Sequence, residues 1–295
     1  METPEQKTPK SEGTFTNTAG KKIYCRYWSE DKSDIDNTKS PKALVFITHG
    51  AAEHCLWYND LAYRLHSKGF YVFGHDHVGH GQSEGDRVHI NNFAEYNRDI
   101  FQHVDMMKKK YPTTPAFLIG HSMGGTIAIL IGVERPDYFK GIILIGAAIV
   151  PDPKAASPLK IFLGKMIARI LPQLPLIKLD SGLISRNGEV VKRYEDDPLV
   201  YHGGIKARWG VAFLQALKDI EVNMESIEWS FLAIHGSEDK LCAVEGSKML
   251  FEKAKSEDKE LKIYDGLFHQ PHNELPEDKE RTLTDITDWL LKRCL

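Results

Sequence analysis

The residues Gly120-His121-Ser122-Met123-Gly124 set a serine between two glycines. A serine hydroxyl attacks a carbonyl only when a base takes its proton, and that base needs an acid to fix its tautomer. An apolar run at 116–119 precedes the serine, and a helical pattern opening at Gly124 follows it. Ser122 therefore falls on a sharp strand-to-helix turn, where a Cβ at Gly120 or Gly124 would crowd neighbouring backbone. The first helical turn also offers free N–H groups and a positive dipole end. Ser122 is the expected nucleophile.

Acid and base candidates lie further along. After the apolar run 231–234 comes His235-Gly236-Ser237-Glu238-Asp239, which offers two acids. After 261–264 comes Asp265-Gly266-Leu267-Phe268-His269, then His272. Each group follows a later strand, in the order serine, acid, histidine used with a strand-to-helix elbow. On that order we assign Asp239 and His269. An oxyanion needs two N–H donors. Met123 supplies one, and Ala51 in His49-Gly50-Ala51-Ala52, directly after the strand opening at Ala43, supplies the other. The chemistry expected is acyl transfer through a covalent acyl-enzyme.

These residues must be held by a frame. Short β-rich runs alternate with helical patterns, the signature of a sheet flanked by helices. Residues 14–18 and 22–28 look like an antiparallel hairpin. The runs 43–47, 70–74, 116–119, 141–145 and 231–234 are continuously apolar and 261–264 is broken only by Lys262, as suits parallel strands covered on both faces. Helical patterns at 57–68, 93–110, 124–134, 246–256 and 280–292 separate them. From 151 to 227 there are helical patterns and no convincing strand, which predicts a helical cap between core parts 1–150 and 228–295.

Bulk properties exclude several classes. A net charge of -3 gives no reason to expect nucleic acid. The four cysteines are scattered, which argues against a zinc site and a disulfide framework. No Asn-x-Ser/Thr acceptor occurs, and residues 1–13 lack the apolar stretch of a secretory signal. A cytosolic protein is expected. No apolar run reaches the length of a membrane span.

Within the cap, Leu159, Phe162, Leu163, Met166, Ile167 and Ile170 recur at helical spacing on one face. Lys160, Lys165 and Arg169 lie off that face, and no acidic residue falls between Asp152 and Asp180. An apolar face bordered by cations suits peripheral membrane contact through the helix around Leu159–Leu171. A cap helix packed on the core is the plainer alternative, and one helix can do both.

With these parts in place, the chain resembles the monoglyceride (monoacylglycerol) lipase family of α/β-hydrolases over almost its whole length. The most specific matches are His49-Gly50-Ala51, Glu53-His54, His75-Asp76-His77-Val78-Gly79-His80-Gly81-Gln82-Ser83, Gly120-His121-Ser122-Met123-Gly124-Gly125 and Leu261-Lys262-Ile263-Tyr264. The resemblance implies an α/β-hydrolase fold with a mostly parallel eight-stranded sheet. It implies hydrolysis of monoacylglycerols, 2-arachidonoylglycerol included, to glycerol and fatty acid, with no metal or organic cofactor. It also implies a protein that visits membranes and a glycerol-end pocket at Glu53, Tyr194 and His272. Ala52 stands where the family usually has glycine, Trp57 where it has arginine, and Tyr201 and Arg208 where mammalian enzymes carry cysteines. Cys242 does match. The elbow alone admits a lysophospholipase, a general carboxylesterase or an acyltransferase, and a non-catalytic lipid sensor is the reading from another class. The oligomeric state is left open, a homodimer included.

Overall fold

A computed structural model of the chain describes residues 11–29, 40–151 and 158–294. The first hairpin is β1 (Ser11–Thr16) and β2 (Lys22–Tyr27), paired antiparallel. β1 ends before the predicted segment does because Asn17 closes the turn. Its Oδ1 accepts from the Ala19 and Lys21 N–H groups.

The apolar runs become β3 (Leu44–Thr48), β4 (Tyr71–His75), β5 (Ala116–His121) and β6 (Gly141–Ile145), all of them fully buried. β9 (Phe231–Gly236) is buried as well, and β10 (Lys259–Tyr264) forms the edge. The sheet order is β1-β2-β4-β3-β5-β6-β9-β10. It is antiparallel at β1/β2 and β2/β4 and parallel in the other five pairings. This is the eight-stranded, mostly parallel sheet of an α/β-hydrolase.

Helices cover both faces. α2 (Ala94–Lys110) and α3 (Met123–Glu134) pack into one core cluster. α1 (Asn59–Ser67) and α8 (Pro276–Arg293) close the other face. α1 is preceded by a separate 3-10 turn at Cys55–Tyr58, so the expected helix 57–68 is two elements. α8 starts four residues before its predicted onset, at Pro276. A proline fits the first helical turn because its missing N–H would have no partner there. α7 (Val244–Lys253) stops short of 256 because Ala254 is extended.

Between β6 and β9 the chain leaves the sheet. It forms α4 (Pro158–Ile170), α5 (Gly188–Asp196) and α6 (Ala207–Asn223). The expectation of no strand here was wrong: β7 (Pro175–Ile177) pairs antiparallel with β8 (Ile205–Lys206). Segments of three and two residues are too short for an alternation to register.

The latter half of this segment is tied to the core. Ile184 O accepts from Gln270 N, Ser185 Oγ donates to Asn273 O, and Arg186 N and Nε donate to Glu274. Tyr201 N donates to Ala52 O at 2.8 Å. No described helix is long and apolar enough to cross a membrane.

Candidate active site

Ser122 joins β5 to α3 with φ 54° and ψ −118°, a conformation an L-residue adopts only under constraint. The surrounding backbone supplies that constraint. Ser122 N donates to Ile145 O, and Ser122 O accepts from the Gly125, Thr126 and Ala148 N–H groups. A Cβ at Gly120 would lie 2.3 Å from Gly124 O, and one at Gly124 would lie 2.2 Å from Thr48 O. Both glycines are therefore required by contact.

The loops after β9 and β10 bring the expected acid and base together. His269 Nδ1 stands 2.7 Å from Asp239 Oδ2. The Asp239 side chain is fully buried, and its Oδ1 accepts from the Leu241 and Cys242 N–H groups. Glu238, the other acid in that loop, is exposed. Burial works to raise the Asp239 carboxyl. His269 and His235 beside it, with their hydrogen bonds, hold it far below the usual carboxylate range. Burial lowers His269, and Asp239 offsets part of that. With Nδ1 committed to Asp239, Nε2 is the nitrogen left to take a proton.

Ser122 Oγ lies 3.9 Å from Cys242 Sγ. Among the described contacts it is not hydrogen-bonded to His269. Such contacts commonly tighten only once substrate is bound. Cys242 is buried, which pushes its thiol well above the ordinary range.

Ala51 and Met123 both line the cavity over Ser122. Among the described residues neither amide is engaged by another group. The Ala51 loop is held from below: Gly50 N donates to Glu53 Oε1 at 2.7 Å. Ala52 sits at φ 67°, in the left-handed region, where a glycine would carry no penalty. The segment from His75 to Ser83 braces this loop from behind. Asp76 accepts from Cys55 N and Gln82 N, and His77 N donates to His49 Nε2.

The three head-group candidates separate. Glu53 and Tyr194 line the cavity, whereas His272 does not. His272 stands one layer back, stacked on Tyr58 at 5.3 Å. Glu53 is almost fully occupied within the protein: besides Gly50 N it accepts from Tyr58 Oη at 2.6 Å and from Gln270 Nε2 at 3.3 Å, and it pairs with His121 Nδ1 at 2.9 Å. Trp57 does not line the cavity either. Its ring lies against Tyr194 and carries the Arg193 guanidinium 4.4 Å above it.

Sequence reasoning missed Tyr58, Gln270 and His121. Only His121, inside the serine motif, carried a local signal. The cavity itself is about 470 Å³, walled mainly by Leu, Ile, Val, Ala, Trp and Phe side chains from 148–217. No lysine or arginine lines it among the described residues.

Residues 39–276 match the family described as serine aminopeptidase, S33. Mouse monoglyceride lipase is 42% identical over 279 residues, covering 95% of this chain and 90% of that protein. The human enzyme is 43% identical with the same coverage. The chain belongs to the monoglyceride lipase family. Members of this family are serine ester hydrolases, and this chain is one. A monoacylglycerol lipase of Paleococcus ferrophilus superposes with a TM-score of 0.78 at 29% identity, over 97% of this chain and 99% of that one. A soluble variant of monoglyceride lipase from Saccharomyces cerevisiae, in complex with a substrate analog, gives 0.83 at 21% identity over 98% and 96%. That second likeness is one of fold. The monoglyceride lipase family membership thus spans the sheet, the elbow and the segment above them.

Proposed function

We propose that the protein hydrolyses monoacylglycerols, 2-arachidonoylglycerol among them, to glycerol and a free fatty acid. The observation that carries this reading is an apolar cavity leading to Ser122, with the Asp239–His269 pair at 2.7 Å beside it. The acyl chain lies in the cavity and the ester carbonyl points at the Ala51 and Met123 N–H groups. His269 Nε2 takes the proton from Ser122 as the hydroxyl oxygen attacks the carbonyl carbon. The tetrahedral intermediate collapses, glycerol leaves with the proton from His269, and water hydrolyses the acyl-enzyme by the same route. Asp239 holds the imidazole and offsets its charge.

The walls favour a neutral head group. Among the described residues Glu53 and Asp180 line the cavity and no lysine or arginine does, so nothing described there would pair with the phosphodiester of a lysophospholipid. Side-by-side rates on monoacylglycerol and lysophosphatidylcholine test this, and a preference for the lysolipid sinks it. Ser122→Ala is expected to abolish fluorophosphonate labelling and to cut turnover a thousandfold or more.

In this reading residues 151–227 act as a cap over a core of 1–150 and 228–295. α4 is the membrane-facing part. Phe162, Leu163, Met166, Ile170 and Leu171 are exposed, and Leu174, Leu176 and Ile177 continue the patch. Lys165 and Arg169 are exposed beside it; the side chains of Leu159 and Lys160 lie outside the described residues. The cysteines are all unpaired, which suits a reducing cytosol. Phe162→Ser with Ile170→Ser should weaken co-sedimentation with anionic vesicles severalfold. Undiminished binding removes α4 from the contact.

A further inference from the structure

Glycine inside a helix costs stability, so it persists where something needs the missing side chain. In α3 and α7 the protein itself supplies the need. A Cβ at Gly125 would lie 2.4 Å from Ala147 Cβ, one at Gly132 2.6 Å from the Trp229 ring, and one at Gly246 3.0 Å from Ile149 Cβ. Gly164, midway along α4, and Gly210, in the second turn of α6, are different. A Cβ at either would meet nothing within 4 Å. No described protein atom explains them.

Both line the cavity over Ser122, and α4 packs against α6. Gly164 is the one described residue of α4 on that wall. Seven residues of α6 line it, and among them Ala207, Gly210, Phe213, Leu214 and Leu217 recur at helical spacing, with Trp209 and Val211 to either side of Gly210. Leu217 clusters with Ala148 and Cys242 at the Ser122 end. Gly210 is two turns away, about 10 Å along the helix. A short acyl chain held at Ser122 ends before Gly210, and a long one has to pass it.

We propose that Gly164 and Gly210 determine acyl-length specificity, their absent side chains leaving the distal cavity wide enough for a long chain. The unfilled volume at these two positions is then the seat of the distal methylenes. The proposal rests on the lipid-ester reading of the cavity, but not on the glycerol head group.

The test uses p-nitrophenyl butyrate, octanoate and palmitate with the full chain, so the leaving group is constant and glycerol plays no part. In Gly210→Leu the palmitate-to-butyrate ratio of kcat/KM is expected to fall at least tenfold, with octanoate between. Gly164→Leu should move the ratio in the same direction. Ala and Val at each site give a graded series, which keeps the result readable if a leucine variant does not fold. Fluorophosphonate titration normalises each preparation to its reactive serine. An equal loss on all three esters, or an unchanged ratio throughout both series, overturns the proposal. Failure of the unaltered protein on monoacylglycerol, with the ester series behaving as expected, overturns the substrate reading alone.

Discussion

Glu53 Oε1 and His121 Nδ1 lie 2.9 Å apart, joining the Ala51 loop to the residue directly before Ser122. His121 Nε2 also reaches the carbonyl of His269 at 3.3 Å. One buried carboxylate therefore touches the Ala51 loop, the serine elbow and the base loop together. Burial alone would raise it, yet His121 and the hydrogen bonds from His121 and Tyr58 hold the Glu53 carboxyl down at about 2. A depressed carboxylate contributes stability that is present above the unfolded value of about 4.3 and is lost as pH falls through the folded one. Glu53→Ala strands His121 and Gly50 N, and is expected to cost about 3 kcal/mol of stability. Loss of the shared alignment should lower kcat by about a hundredfold. Urea melts and steady-state rates check both, and a neutral substitution would mean the network is ornamental to the site.

The Asp239–His269 pair sets a pH signature. The imidazole must be neutral to act as base, and burial lowers His269 below the ordinary histidine value. The acid limb of kcat/KM is therefore expected to have its midpoint below about 6.5. Asp239 opposes that lowering, so Asp239→Asn should move the limb to still lower pH while kcat falls by about ten-thousandfold. A limb that shifts upward in the variant would refute the assignment of Asp239.

Buried imidazoles in the core predict loss of stability in acid. Burial lowers His80 to about 4 and His103 to about 3, and takes His49, His75 and His77 well below the ordinary value. Each folded value lies below the unfolded one, so in acid the unfolded chain binds the extra protons. Stability is then full above about pH 6.5 and declines as pH falls toward the folded values, with His80 alone accounting for about 3 kcal/mol. Thermal melts from pH 8 to pH 4 should show Tm falling steadily below pH 6.5. A flat profile would contradict the buried neutral cluster.

Ala52 is the inexpensive repair. Its φ of 67° is strained for a residue with a Cβ. Ala52→Gly is expected to raise stability by about 1 kcal/mol, and with it Tm. A fall in Tm would mean that the buried methyl group matters more than the backbone strain.

Much of this was legible before the structure because it is locally encoded. The runs 43–47, 70–74, 116–119, 141–145 and 231–234 have no polar alternation, and only a strand covered on both faces tolerates that. Ser122 was legible because its turn demands glycines at fixed offsets. His272 could not be placed by sequence: whether it lines a cavity or stacks behind Tyr58 depends on packing between distant segments. The same holds for Gln270 beneath Glu53. Asn17 hid the true end of β1, since turn chemistry there overrode β propensity. β7 and β8 were missed because strands of three and two residues have no period to read.

The hydrogen bonds that tie 184–186 to 270–274, and Tyr201 to Ala52, divide the segment above the site into two kinetic classes. The amide of Tyr201 and the backbone at 184–186 are anchored to the loops carrying Ala51 and His269. α4 rests mainly on its contact with α6 and exposes an apolar face, and β7 is held by its short pairing with β8. Hydrogen–deuterium exchange should therefore be slow in the first stretch and fast between 162 and 177. Lipid vesicles should slow the fast class and leave the slow class where it was. On the proposed function, access for a long chain would then be a local event at the outer wall, with the reacting centre kept assembled while the entrance opens.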